Sequence, residues 1–161
     1  MTAKAAAAST NQLADNRRAA FAFEVLERLQ AGLQLTGAEV KSAKLGHVSL
    51  AGAYVSFRRG RAGTEAWLRG VHISPYQPAA GSQAGYVPTR DRKLLLRRDE
   101  IDHLVGKAQS GGLTVIPISL YRSRSFVKVE IGVVRQRTKA DRREAIRRRE
   151  TSREIRSHLR S

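Results

Sequence analysis

The chain has no cysteine among its 161 residues. That absence excludes disulfides, thiolate metal sites and cysteine nucleophiles, and it fits a reducing compartment. Aromatic residues are scarce at 6%, and proline occurs four times. No apolar run approaches the roughly 20 residues that a membrane-crossing helix needs. The Ala-rich start, Met1 to Thr10, lacks the charged lead and longer apolar stretch of a secretion signal, so it reads as a disordered leader without an address. Acidic residues are also short, with 14 Asp and Glu against 30 Lys and Arg and a net charge of +16. Such an excess calls for a polyanionic partner. Arg outnumbers Lys and suits planar phosphate contacts and base stacking. A membrane surface is the competing polyanion, and nucleic acid is the better fit.

Catalytic patterns are missing too. His47, His72, His103 and His158 do not pair at metal-ligand spacing, so neither a metal site nor a cofactor is expected. Asp99, Glu100 and Asp102 beside His103 could suggest acid–base chemistry, but acidic residues belong in the first turn of a helix. Gly60 and Gly63 lack the spacing of a phosphate loop, and Ser42 and Ser74 lack a nucleophile motif. The chain reads as a protein without enzymatic activity. A ribonuclease using His47, His72 and His103 is the catalytic alternative.

What is present divides into three parts. Residues 1–13 form the leader. Residues 14–134 hold nearly all the large apolar side chains and read as one RNA-binding domain. Residues 135–161 form a polar tail with 11 basic and 4 acidic residues. Ile146, Ile155 and Leu159 cannot bury enough surface to offset its ordering entropy. The tail is nonetheless rich in helix formers, and Glu144 with Arg148 is a favourable i,i+4 pair. It is expected to be disordered alone and helical on a partner.

The body reads as β-rich. Val127, Val129, Ile131 and Val133 alternate as a half-buried strand. Leu113 and Val115 alternate before them, and Ile118 and Leu120 continue in the opposite phase. That flip predicts a bulge or edge near Ile116-Pro117. Arg122 to Ser125 reads as the hairpin turn. A second hairpin joins Tyr54–Phe57 to Ala66–Leu68 through a loose turn from Arg58 to Thr64. Tyr54, Phe57 and Trp67 read as core. Further strands are predicted near Phe23–Leu29 and Gly32–Leu35. Thr36-Gly37-Ala38-Glu39 has capping-box spacing, predicting a helix through Leu45 that stops at Gly46. Another helix is predicted over Asp99–Gln109, with Ile101, Leu104, Val105 and Ala108 on one face. Residues 74–89 read as loop. Together these predict an all-β-dominated fold, a small antiparallel barrel of the oligonucleotide-binding type with two or three short helices.

Four stretches together resemble the SsrA-binding protein family. They are Asn16-Arg17-Arg18-Ala19 with Leu35-Thr36-Gly37-Ala38-Glu39-Val40-Lys41-Ser42; His72-Ile73-Ser74-Pro75-Tyr76; Pro88-Thr89-Arg90-Asp91-Arg92-Lys93-Leu94-Leu95-Leu96; and Val127-Lys128-Val129-Glu130 running into a tail with Asp141-Arg142-Arg143. Their order and spacing match over nearly the whole chain. The resemblance implies the same barrel and a cytoplasmic, monomeric partner of transfer-messenger RNA in trans-translation. It implies that the body grips the tRNA-like part of that RNA. The tail would enter the empty messenger channel of a stalled ribosome, at the small-subunit decoding centre, and fold there as a helix. The sequence departs from the family pattern at Ala140, where an aromatic residue or His is usual, and at Gly85-Tyr86, where Asn-His is usual.

By this resemblance the RNA-binding residues are Asn16, Arg17, Arg18, Glu39, Lys41, Lys44, Tyr76, Arg90, Arg92, Lys93 and Lys128. Glu39 is equally explained as a helix cap, and Leu94 to Leu96 read as core unless one packs on a base. The ribosome-contacting residues would be Arg135, Arg137, Lys139, Asp141, Arg142, Arg143, Ile146, Arg147 and Arg148. A general RNA-binding ribosomal or assembly factor would share the same charge pattern.

Overall fold

The computed structural model describes residues 11–160. Seven strands form one antiparallel sheet: β1 (Gln12–Asp15), β2 (Phe23–Leu33), β4 (Tyr54–Gly60), β5 (Gly63–Arg69), β7 (Arg92–Leu95), β8 (Leu113–Ser123) and β9 (Phe126–Gln136). Their spatial order is β1-β8-β9-β2-β7-β5-β4. At one end of this open sheet, β4 folds back against β8, which gives the sheet its barrel-like curl. Two short strands, β3 (Val48–Ser49) and β6 (His72–Ile73), pair apart from it. The helices are α1 (Arg17–Ala22), α2 (Gly37–Lys44), α3 (Arg98–Gln109) and α4 (Lys139–Arg160).

Alternation along β9 is realised directly. Val127, Val129, Ile131 and Val133 all enter the main core, where they meet Leu120, Leu68, Leu94 and Leu104. The β8–β9 register slips between Pro117 and Ser119, within two residues of the predicted bulge. Ile118 is the residue skipped. Instead of continuing inward with Leu120, it lies over Gly132, where an added Cβ would stand 2.5 Å from its Cδ1. Ile116 and Val134 face the same outer side and pack with Ala19 of α1. The sheet is therefore buried on both faces around β8 and β9.

α2 begins and ends as its sequence predicts. The Thr36 hydroxyl accepts from the Glu39 N–H at 3.2 Å, and Glu39 Oε1 accepts from the Thr36 N–H at 2.9 Å. Gly46 closes the helix at φ +80°. α3 starts one residue early, with Glu100 accepting the Arg97 N–H at 3.0 Å.

Several predictions need revision. The two strands expected over 23–35 are one strand, bulged between Val25 and Glu27. The loose turn at 58–64 is a tight one, because β4 and β5 stay paired up to Gly60 and Gly63. The other hairpin turns at Arg124-Ser125, with Arg124 at φ +58°. Tyr54 and Trp67 leave the core because their neighbours Val55, Ala66 and Leu68 occupy it. The loop at 74–89 contains a short 3-10 segment, Gln77–Gln83.

Both outer boundaries of the expected domain also shift. Most of the leader lies outside the described residues, but Gln12 and Leu13 already belong to β1. At the other end, β9 runs to Gln136 against Phe23 of β2. The tail forms α4, capped by Thr138 and Asp141 at 2.7–3.2 Å. Glu144 and Arg148 form the expected i,i+4 pair at 2.6 Å. Most α4 side chains are exposed, and its contact with the body centres on Arg149 over the Phe21 ring at 4.6 Å.

Candidate nucleic-acid interface

A buried polar knot organises one side of the site. Arg92 opens β7, and its side chain is 0% exposed. All five of its N–H donors are used. Nε donates to Glu39 Oε2 at 2.7 Å, and Nη1 donates to the carbonyls of Val71 at 2.7 Å and Arg90 at 3.1 Å. Nη2 donates to the Tyr86 hydroxyl at 3.0 Å and the Pro88 carbonyl at 2.8 Å. Glu39, 1% exposed, also receives the Arg90 guanidinium. Burial alone would raise the Glu39 carboxyl, but hydrogen bonds from Arg90 and the Thr36 N–H, with the charge of Arg92, outweigh it and hold the group at about 2. Burial pushes the Tyr86 hydroxyl above its ordinary value, so it stays protonated between Glu39 and the Ile73 carbonyl. The knot ties α2, the segment 71–91 with β6, and β7 into one unit.

This geometry removes two predicted contacts. Arg92 and Glu39 are enclosed and fully partnered, so neither can reach RNA. Asn16 is the third correction. It is 8% exposed, its Nδ2 donates to the Pro117 carbonyl at 2.8 Å, and its Oδ1 accepts from Ala19 N–H at 3.4 Å. It fastens α1 to the β8 bulge, whose slipped register leaves that carbonyl for a side chain.

The solvent-facing side of the sheet offers a different constellation. Strand register sets Tyr121, Lys128, Gly32 and Leu95 in one row across β8, β9, β2 and β7. Lys128 has no hydrogen-bond or ion-pair partner among the described residues. Leu95 is 55% exposed. Gly32 makes room for it, since a Cβ there would stand 3.1 Å from the Leu95 Cβ. Lys93, two residues along β7, shares this face and pairs with Glu65 at 2.7 Å. Gly32 was missed in the sequence, and Leu95 was held only as one of three leucines that read as core unless one packs on a base. The usable signal was that successive leucines on a strand cannot all face one core.

The remaining predicted residues are dispersed. Lys41 is exposed on α2, with Nζ 5.5 Å from the Tyr76 ring, and Lys44 lies in the last turn of that helix. Arg90 is partly exposed above Glu39. Arg17 and Arg18 are exposed on α1, and Arg17 lies 3.9 Å from Asp15. In the tail, Arg135 pairs with Glu24 at 2.6 Å, and Arg137 Nε donates to the Phe23 carbonyl at 3.0 Å. Lys139, Arg143, Ile146, Arg147 and Arg148 are exposed along α4, with Arg142 half-buried. Asp141 is exposed, and hydrogen bonds from Thr138 hold its carboxyl below the ordinary range.

Comparison with known proteins agrees in both sequence and shape. The chain matches the family described as SmpB protein over residues 13–161. An SsrA-binding protein of Synechococcus sp. (strain JA-2-3B'a(2-13)) is 47% identical, over 91% of this chain and 92% of that relative. An SsrA-binding protein of Anaeromyxobacter sp. (strain K) is 45% identical, over 94% of this chain and 90% of that relative. A solved structure described as "tmRNA-SmpB: a journey to the center of the bacterial ribosome" superposes with a TM-score of 0.64 at 38% identity. It covers 84% of this chain and 94% of the other.

Proposed function

The chain belongs to the SmpB family, and from that premise we propose that it binds transfer-messenger RNA and delivers it to stalled ribosomes for trans-translation. The role is binding without catalysis, and its place is the cytoplasm, where ribosomes work. The body acts as a monomer on the tRNA-like part of the RNA. The tail supplies the second contact, along the messenger channel.

The observation that carries the location of the grip is the row Lys128–Gly32–Leu95. An unpaired ammonium and an exposed leucine on a rigid sheet can hold a phosphate and a base or ribose face together. Lys93 adds charge beside it, and Lys41, Lys44, Tyr76, Arg90, Arg17 and Arg18 add exposed or part-exposed charge and one ring elsewhere on the surface. Arg92, Glu39 and Asn16 act indirectly by fixing the loops and helices that carry these groups.

Lys128→Glu and Leu95→Asp, made separately, are expected to weaken binding of transfer-messenger RNA at least tenfold without lowering the thermal midpoint. Unchanged affinity in both would remove the site from this face. A general ribosome-assembly role would appear instead as ribosomal RNA dominating the RNA recovered with the protein from cells, with no enrichment of transfer-messenger RNA.

A further inference from the structure

We propose that the outer face of β4 and β5 is a stacking platform for unpaired RNA nucleotides, adjoining the Lys128–Leu95 row and separable from it; this rests on the RNA-binding reading above. Strand alternation sends Val55, Ala66 and Leu68 inward, so Tyr54, Ser56, Arg58, Trp67 and Arg69 take the other side. Register places Tyr54 opposite Arg69, and Ser56 opposite Trp67. The Arg69 guanidinium lies 5.8 Å from the Tyr54 ring centre, and that of Arg58 lies 3.9 Å from the Trp67 ring. Two rings and two planar cations therefore interleave across the hairpin.

The chemistry of this patch selects its ligand. A guanidinium stacked on a ring presents a flat, cationic π-surface, which accepts any nucleobase without reading its edge. Tyr54 is 41% exposed, so its ring is available to a base. Asp91 approaches Arg69 at 3.3 Å and Arg58 at 3.8 Å. One carboxylate shared by two guanidinium groups leaves net positive charge for a phosphate. Ser56 Oγ and Trp67 Nε1, cross-strand neighbours, are buried beneath this layer, so the platform meets a base through its ring and guanidinium faces rather than through hydrogen bonds to a base edge. Lys93 lies opposite Trp67 on β7 and links the platform to the row ending at Leu95. A duplex hides its base faces in the stack, so the platform prefers unpaired nucleotides.

Trp67 is the sole tryptophan of the chain, so its fluorescence reports directly on this surface. The full-length protein is titrated with a short oligouridine, and with duplex RNA of equal phosphate count. Saturable quenching by the single strand and none by the duplex is expected. Labelled oligouridine should bind about tenfold more weakly to Tyr54→Ser combined with Arg58→Gln, the loss of roughly one stacked base. Arg58→Gln alone serves as the milder variant and should lie between the two. Lys128→Glu should leave the quenching intact while it weakens transfer-messenger RNA binding. Absent quenching, equal quenching by duplex, unchanged affinity in the double variant, or loss of quenching in Lys128→Glu would each overturn the platform. Full transfer-messenger RNA affinity in Lys128→Glu, with the oligouridine results as expected, would count against the grip site alone.

Discussion

Glu39 and Arg92 form an ion pair removed from water, and such a pair stabilises only when every polar atom finds a partner. Here Arg92 satisfies all its donors, so removing its anion is costly. Glu39→Gln is expected to lose on the order of 3 kcal/mol in urea unfolding, because the guanidinium stays buried without its counter-charge. The pH dependence follows from the carboxyl, which titrates at about 2 when folded against an ordinary value of 4.5. Stabilisation is complete above about 4.5 and is withdrawn as pH falls through about 2. The native protein should therefore lose stability over that window more steeply than Glu39→Gln, and equal slopes would show that the knot does not govern acid unfolding. In the sequence, Glu39 was legible as a helix cap through the spacing from Thr36. Its burial was not, because the arginine that neutralises it lies 53 residues away in the chain. Arg92 looked like one cation of an RNA-facing cluster for the same reason. Sequence spacing carries no sign of which cation in a run turns inward.

At the scale of elements, local signals were read well and long-range ones poorly. The α2 cap, the β9 alternation and the β8 phase flip each rest on neighbours within a few residues, and each is in the structure. α1 and β1 were not foreseen. α1 has only six residues, and its N-cap Asn16 is fixed by a β8 carbonyl 101 positions on. The face of the β4–β5 hairpin was misjudged because Trp67 looks like core until its neighbours fill the inside. The α2 cap supports a modest prediction: Thr36→Ala should cost about 1 kcal/mol in denaturant unfolding. The tail supports a larger one. Because β9 pairs as far as Gln136 and Arg137 bonds back to Phe23, the informative truncation ends at Arg137 rather than within the strand. That chain should fold and bind transfer-messenger RNA as the full chain does, yet fail to tag nascent proteins in a reconstituted stalled-ribosome assay. Normal tagging would assign the tail no role there, and lost RNA binding would place it in the primary grip. A peptide of residues 138–161 should show little helix in buffer by circular dichroism, since α4 buries few of its side chains.

For the whole molecule, the count of 30 Lys and Arg overstates the cations that RNA meets. Arg92 is enclosed, and Arg28, Arg135 and Arg148 are each matched to a carboxylate at 2.6 Å. The cations left unpaired on the sheet face should then dominate the ionic part of binding. Affinity for transfer-messenger RNA should fall steeply with added salt, and Lys128→Glu should lower the slope of log affinity against log salt by about one. An unchanged slope would mean that Lys128 touches no phosphate. The junction of body and tail has a consequence of another kind. Only Arg137 and Thr138 separate β9 from α4, and the Arg137 N–H donates to the Ala22 carbonyl at 2.9 Å. When its 22 residues are helical, α4 is a rod about 33 Å long. Mounted on so short a fulcrum, it gives the molecule leverage: a tilt of about 10° at Arg137 swings the far tip by about 6 Å, roughly the spacing of successive phosphates along a strand.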